Sequence, residues 1–222
     1  MRSEMARLFS YTIPFDDGAA PNPFHGMCTL VICKPAIRRV AKEGDWVAGL
    51  GSKRAPSGDL SGRLVYAMLV DEVIPMTEYD RRAKSEWPHR VPRFDTDDPI
   101  DRLGDCIYDF RQSAPPRQRP GVHEQVDVLR DLGGKNALIA REFYYYGKDA
   151  IALPPSLADI VHQGRAHKSD ANDPYVRTFV RWIRTHKRGV RGKPDKEIEW
   201  GPVGAGGGCR LRAKERPHQR VC

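Results

Sequence analysis

The sequence predicts an α+β domain, and three observations predict it. Phe9, Tyr11, Ile13 and Phe15 alternate with smaller or polar residues, the period of two that belongs to a strand with one buried face. The first 74 residues then read as strand, strand, helix, strand, with a fourth strand closing the series. Near the C-terminal end Val176, Phe179, Val180 and Ile183 recur at helical spacing.

The first strand runs to about Pro14. After a loop rich in Asp, Gly and Pro, "CTLVIC" is short, apolar and β-branched, so residues 28–33 form the second strand. Pro35 suits the first turn of a helix and Gly44 its C-terminal cap. Ile37, Val40 and Ala41 make the inward stripe of that helix, which points Arg38, Arg39 and Lys42 away from the core. "DWVAGLGS" supplies the third strand and residues 63–74 a longer fourth, joined through the Gly/Ser/Pro-rich "GSKRAPSGDLSG".

Residues 75–120 have little periodicity and read as a surface excursion with a short element at "CIYDF". "NALIAREFYYYGKDAIALP" then gives one or two strands around Phe143, Tyr144, Tyr145 and Tyr146. A short helical segment follows over residues 155–162, stopped by Gly164. In the last helix Asp173 is the N-cap and Pro174 the first helical residue, with Arg177, Arg181 and Arg184 on a separate face. No internal repeat occurs.

With 222 residues, 40% of them hydrophobic, the chain can bury one good core. The expected organisation is one domain over residues 1–192, with 81–130 as an irregular insertion and 193–222 as a disordered basic tail. No apolar h-region opens the chain, and no run approaches the roughly 18 apolar residues of a membrane helix. A cytoplasmic protein without a membrane partner is expected. The five cysteines, Cys28, Cys33, Cys106, Cys209 and Cys222, are odd in number and scattered, which argues for thiols rather than a disulfide framework.

The net charge of +8 is unevenly placed. Residues 187–222 hold ten Lys or Arg against four Asp or Glu, an excess of six that leaves only two for the rest. Such a tail holds polyanions without specificity. Within the body, Lys34, Arg38, Arg39, Lys42, Lys53 and Arg54 oppose only Glu43 and Asp45, a local excess suited to phosphate.

The most reactive stretch is "DDGAAPNPFHGMCTLVICKP" at residues 16–35. Cys28 and Cys33 stand at opposite ends of a predicted strand, about 16 Å apart when extended, which is poor geometry for joint zinc binding. His25 lies nearer Cys28, but no second Cys/His pair completes a four-ligand site, so neither metal nor cofactor is expected. Asp16 and Asp17 precede Gly18, a combination that serves turn formation before catalysis. "GLGSKRAPSG" lacks the order of a phosphate-cradling loop. Alternate rings of the run 144–146 fall on opposite faces of a strand, so a ring is available either for the core or for base stacking. The arginines of the last helix suit either solvent or phosphate.

Four segments carry a family resemblance: "APNPFHGMCTLVICKPAIRRVAKEGDWVAGLGS", "VYAMLVDEVIPMTEYD", "EFYYYGKDAIALP" and "NDPYVRTFVRWI". Together they resemble the second family of nucleotide modification associated domains, known from genomic association with bacterial and phage systems that hypermodify DNA bases. The resemblance spans residues 7–192 in patches and omits 81–130 and everything beyond 193. A looser similarity in the helix, the Gly-Asp-Trp turn and the strand after it is to PUA-like barrels, including the EVE and ASCH groups. It implies a small β-barrel with flanking helices, whose cleft accommodates RNA or a modified base and whose mouth holds the opening loop.

Three functions follow as expectations. The first is recognition of a modified nucleotide or modified DNA. Lys34, Arg38, Arg39, Lys42, Arg177 and Arg181 would hold phosphate, Tyr11, Phe24, Trp46 or Tyr145 would stack on a base, and Pro21, Asn22, Pro23, Phe24 and His25 would line the pocket. The second is an enzyme acting on a base or nucleotide, with Asp17, His25, Cys28 and Lys34 as acid, base or nucleophile. The third is a scaffold for base-modification enzymes.

Overall fold

The computed structural model describes residues 6–196, apart from 112, 113, 163 and 165. The expected disorder beyond residue 196 lies outside the described residues. The elements in chain order are β1 (Leu8–Ile13), β2 (Cys28–Leu30), α1 (Pro35–Val40), β3 (Trp46–Gly51), β4 (Arg63–Leu69), β5 (Glu72–Pro75) and α2 (Met76–Ser85). They continue as β6 (Tyr108–Asp109), β7 (Arg117–Gln118), α3 (Val128–Leu132), β8 (Asn136–Ala140), β9 (Phe143–Tyr145), β10 (Ile151–Ala152), β11 (His167–Lys168), α4 (Val176–Ile183) and β12 (Gly189–Val190). Strands and helices are both present, as the α+β reading expects. Among the described residues no helix is long and apolar enough to cross a membrane.

The main sheet runs β11-β1-β3-β4-β9-β12, with β10 added to β4, and a smaller sheet runs β2-β8-β5. The predicted fourth strand is two strands. Residues 70 and 71 bend the chain out of the main sheet into the smaller one, and Leu69 N–H to Glu142 O (2.9 Å) and Asp71 N–H to Ile139 O (2.8 Å) keep β4–β5 paired with β8–β9 through the bend. The pairings do not close into a barrel, because no described pair joins β2 to β1 or β11. The PUA-like barrel is corrected to two open sheets that share a bent hairpin.

Three cores fill this frame. Phe9, Tyr11, Val47, Met68, Leu138 and Tyr145 meet between the sheets under Ile37 of α1. On the outer face of the main sheet Leu8, Trp46 and Tyr144 pack against Phe179 and Ile183 of α4. Strand β1 is therefore buried on both faces rather than one. Its buried Ser10 hydroxyl is satisfied by Ile160 O at 2.6 Å.

The third core lies where a surface excursion was expected. Cys106, Ile107 and Tyr108 pack with Tyr79 and Trp87 against Ile139. Beside them the buried Arg90 donates to Asn22 Oδ1 (2.7 Å), Thr29 Oγ1 (2.9 Å), Phe24 O (2.8 Å) and Met27 O (2.8 Å). The segment after α2 thus clamps the 21–29 loop. Little periodicity marks this region because two-residue strands and single 3₁₀ turns are too short to show one.

Helix α1 sits in a different rotation from the one expected. Cys33 and Lys34 adopt left-handed φ values of 60° and 41° before it, and Ile37, Arg38 and Ala41 face inward while Val40 is 45% exposed. Arg38 is fully buried and donates to Cys33 O (2.7 Å), Asn136 O (2.9 Å) and Asp131 O. Gly134 makes its room, since a Cβ there would lie 2.1 Å from the guanidinium.

Candidate nucleic-acid interface

Residues 174–194 contain seven Lys or Arg and no Asp or Glu. The fold keeps this run in order. Asn172 anchors the entry to α4 by donating to Leu8 O and Ser10 Oγ, both at 2.9 Å, and Phe179 and Ile183 bury the inner stripe. Arg177, Arg181 and Arg184 remain exposed. After the helix, Gly189 at φ 84° turns the chain into β12, which pairs in parallel with β9.

The segment after β12 threads against residues 146–149. Arg191 N–H reaches Tyr145 O at 2.7 Å, and Lys148 N–H reaches Lys193 O at 2.9 Å. The fit requires two glycines: a Cβ on Gly192 would lie 1.8 Å from Tyr146 O, and one on Gly147 1.9 Å from Lys193 O. Lys148, Asp149, Val190, Arg191, Gly192 and Lys193 consequently line a groove of about 520 Å³.

Charge at the groove is largely unneutralised. Glu142 pairs with Arg184 (2.9 Å) and Arg188 (3.4 Å). Among the described residues no carboxylate pairs with Arg177, Arg181, Lys187, Arg191, Lys193 or Lys148. Three of these six cations, Lys148, Arg191 and Lys193, line the groove with Asp149 as its acid. Clustered cations in general attract polyanions, because each contact releases condensed counterions from a phosphate backbone.

Many of the predicted site residues lie inside the protein. Tyr11 is buried with its hydroxyl 2.8 Å from that of Tyr66, and Tyr145 is buried and donates to Asp16 Oδ2 at 2.7 Å. Trp46 is enclosed by Tyr144 and Phe179, with ring centroids 6.4 and 5.8 Å away. Phe24 packs on Gly18. None of the four offers a base an open face, so base stacking on them is corrected to core packing.

In the expected pocket loop Pro21, Asn22, Pro23 and Phe24 are buried, Asn22 donates to Leu103 O at 2.9 Å, and only His25 is exposed. Its unusual length serves as a plug clamped by Arg90. Asp17 Oδ1 accepts from Ala19 N–H at 3.0 Å and Asp16 Oδ1 from Gly18 N–H at 3.2 Å, the turn bonds expected of them. Burial raises the Cys28 thiol far above the ordinary range. Arg38, expected on phosphate, is saturated by carbonyls. Arg39 on α1 and Lys42 just after it are exposed, and the half-buried Lys34 holds its ammonium 4.3 Å over the Tyr11 ring.

One family model, nucleotide modification associated domain 2, matches residues 5–201. The chain belongs to this family. No curated protein and no solved structure matches it. Membership ties the domain to nucleotide modification, and the match extends across the 81–130 segment that carries no recognisable motif. It also reaches past β12, so the basic run on α4 and β12 is part of the nucleotide modification associated domain.

Among the described residues, one group of three side chains could hold a metal ion: Cys33, His123 and Asp131, with donor atoms within 4.8 Å of one another. The zinc argument from sequence weighed Cys33 only with Cys28, and the true neighbours stand 90 and 98 residues away. No motif spacing marks partners so distant.

Proposed function

We propose that this nucleotide modification associated domain holds nucleic acid by its phosphate backbone. The observation that carries the reading is the set of six cations without paired carboxylates, three of them lining the groove at Lys148, Arg191 and Lys193 and three on or just after α4. Phosphate contacts position a chain on nucleic acid without reading sequence. Burial of the stacking candidates supports a holder of the backbone rather than a reader of the base.

Binding of a labelled duplex across a salt series tests it. The logarithm of the affinity should fall linearly with the logarithm of salt, at a slope of up to about −5 if every cation meets a phosphate, and to the same extent for modified and unmodified DNA. A salt-independent affinity, or one confined to modified DNA, would overturn the reading.

A further inference from the structure

We propose that Cys33, His123 and Asp131 form a nucleophilic thiol site for acyl transfer, with Cys33 as nucleophile, His123 as its base and Asp131 as the positioning residue. This inference is independent of nucleic-acid binding.

The three side chains form a relay. Cys33 Sγ lies 3.4 Å from His123 Nε2, and His123 Nδ1 lies 2.5 Å from Asp131 Oδ2. Thiol and carboxylate engage opposite nitrogens of one imidazole, the geometry by which a carboxylate fixes the tautomer of a base that takes a proton from a nucleophile. A metal centre has another spacing: two ligands each about 2.1 Å from one zinc ion stand roughly 3.4 Å apart in a tetrahedron. At 2.5 Å the imidazole and carboxylate are hydrogen-bonded to each other instead.

Each member is placed by a separate part of the chain. Cys33 follows β2 in a left-handed conformation (φ 60°) that a residue with a side chain adopts at a cost, and its own N–H is held by Asp131 Oδ1 at 2.9 Å. Asp131 comes from α3, and its Oδ2 also accepts from Tyr108 O–H at 2.9 Å. Burial alone would raise this carboxyl, but the bonds and charge of His123, the Cys33 N–H and the Tyr108 hydroxyl hold it below the ordinary range, so it stays ionised. His123 reaches in from the loop before α3, where its backbone carbonyl accepts from Gln118 at 2.8 Å. All three members are largely enclosed, with Cys33 at 6%, the His123 side chain at 8% and the Asp131 side chain at 0%. The carboxylate is fully sealed, and the thiol and imidazole keep a small residual exposure.

The step balances without an oxidant or a second reagent. The Cys33 proton passes to His123 Nε2 as sulfur bonds to the carbonyl carbon of an ester or thioester. The tetrahedral adduct collapses, and the departing oxygen or sulfur takes the proton held on His123. Water or an amine then attacks the Cys33 thioester, giving its proton to His123, and the C–S bond breaks to restore the thiol.

Alkylation by iodoacetamide as a function of pH, with the labelled cysteine identified by peptide mass mapping, tests the site in the full chain with Cys209 and Cys222 changed to Ser, which leaves Cys33 beside the more deeply buried Cys28 and Cys106. Cys33 should react at pH 6 at least tenfold faster than an ordinary thiol of pKa near 8.5. His123→Ala, on a loop, should remove that advantage while the melting temperature stays near wild type. Asp131→Asn should move the pH midpoint towards the ordinary value. p-Nitrophenyl acetate should give a burst of one equivalent that His123→Ala abolishes. An ordinary pH midpoint in the unmutated relay, the absence of a burst, or stoichiometric Zn²⁺ uptake that protects Cys33 would each overturn the proposal. The first reading needs no variant to fold.

Discussion

The Tyr145 hydroxyl donates to Asp16 Oδ2 across 2.7 Å in the interior between the sheets. Burial dominates the carboxyl's energetics and, with Asp17 and Asp195 nearby, raises it to about 7 against the Tyr145 and Gly18 hydrogen bonds. An unfolded aspartate titrates near 3.9. The folded value is the higher one, so the favourable contribution is complete below pH 4 and is lost as pH rises towards 7. Between pH 4 and 8 the loss is roughly 4 kcal/mol. Asp16→Asn, which mimics the protonated acid, should raise the unfolding free energy at pH 8 and leave it nearly unchanged at pH 4. Urea unfolding at the two pH values measures it, and equal effects at both would contradict the assignment.

The loop plug carries the opposite pH dependence. His25, at φ 55°, stacks on His89 with ring centroids 4.1 Å apart. Burial, His25 and Arg90 lower His89 to about 4, and burial and Arg90 also lower His25. Folding favours the neutral rings, so stability is unaffected above the unfolded value of about 6.5 and falls as pH drops below it. His89→Phe keeps a ring for the stack and should reduce the fall in melting temperature between pH 7 and 5. An unchanged fall would show that the pair is not the titrating element.

Arg38 is a structural cation. Gly134→Ala would drive a Cβ into its guanidinium, at a cost of about 1–3 kcal/mol. Arg38→Ala would strip the donors from Cys33 O, Asn136 O and Asp131 O and cost roughly 3 kcal/mol or more. Denaturant midpoints measure both, and a stable Arg38→Ala protein with weakened DNA binding would restore the surface role expected from sequence.

Legibility followed the length of the pattern. Strand β1, the continuous buried run of β3 and the stripe of α4 announced themselves because each pattern persists for six residues or more. Their surroundings did not. Phe9 and Tyr11 read as one buried face, but Leu8 faces a second core that α4 and the 155–160 segment supply from far along the chain. Helix α1 has six residues, too few for its stripe to choose between Val40 and Arg38 as the inward residue. The left-handed pair Cys33 and Lys34 made that choice, and neither is a glycine that would have signalled it.

Site residues divide in the same way. Arg177 and Arg181 were legible as an exposed face of α4, because local periodicity places them. Lys148 joins Arg191 and Lys193 only through the pairing of β12 with β9, a tertiary contact. His123 and Asp131 meet Cys33 across the same kind of distance. "CTLVIC" drew attention to Cys33 through Cys28, although Arg38, Asp131 and His123 are what surround it.

The central claim, that nucleic acid is held at the groove between residues 148–149 and the β12 segment, is tested most directly by two double charge reversals compared at one salt concentration. Arg191→Glu with Lys193→Glu reverses two of the groove's three cations, whereas Arg39→Glu with Lys42→Glu reverses the exposed pair on and just after α1. The account predicts that the groove pair lowers duplex affinity at least tenfold and flattens the salt slope by about 2, while the α1 pair changes affinity less than twofold. Undiminished binding by the groove variant, with loss in the α1 variant, would contradict it.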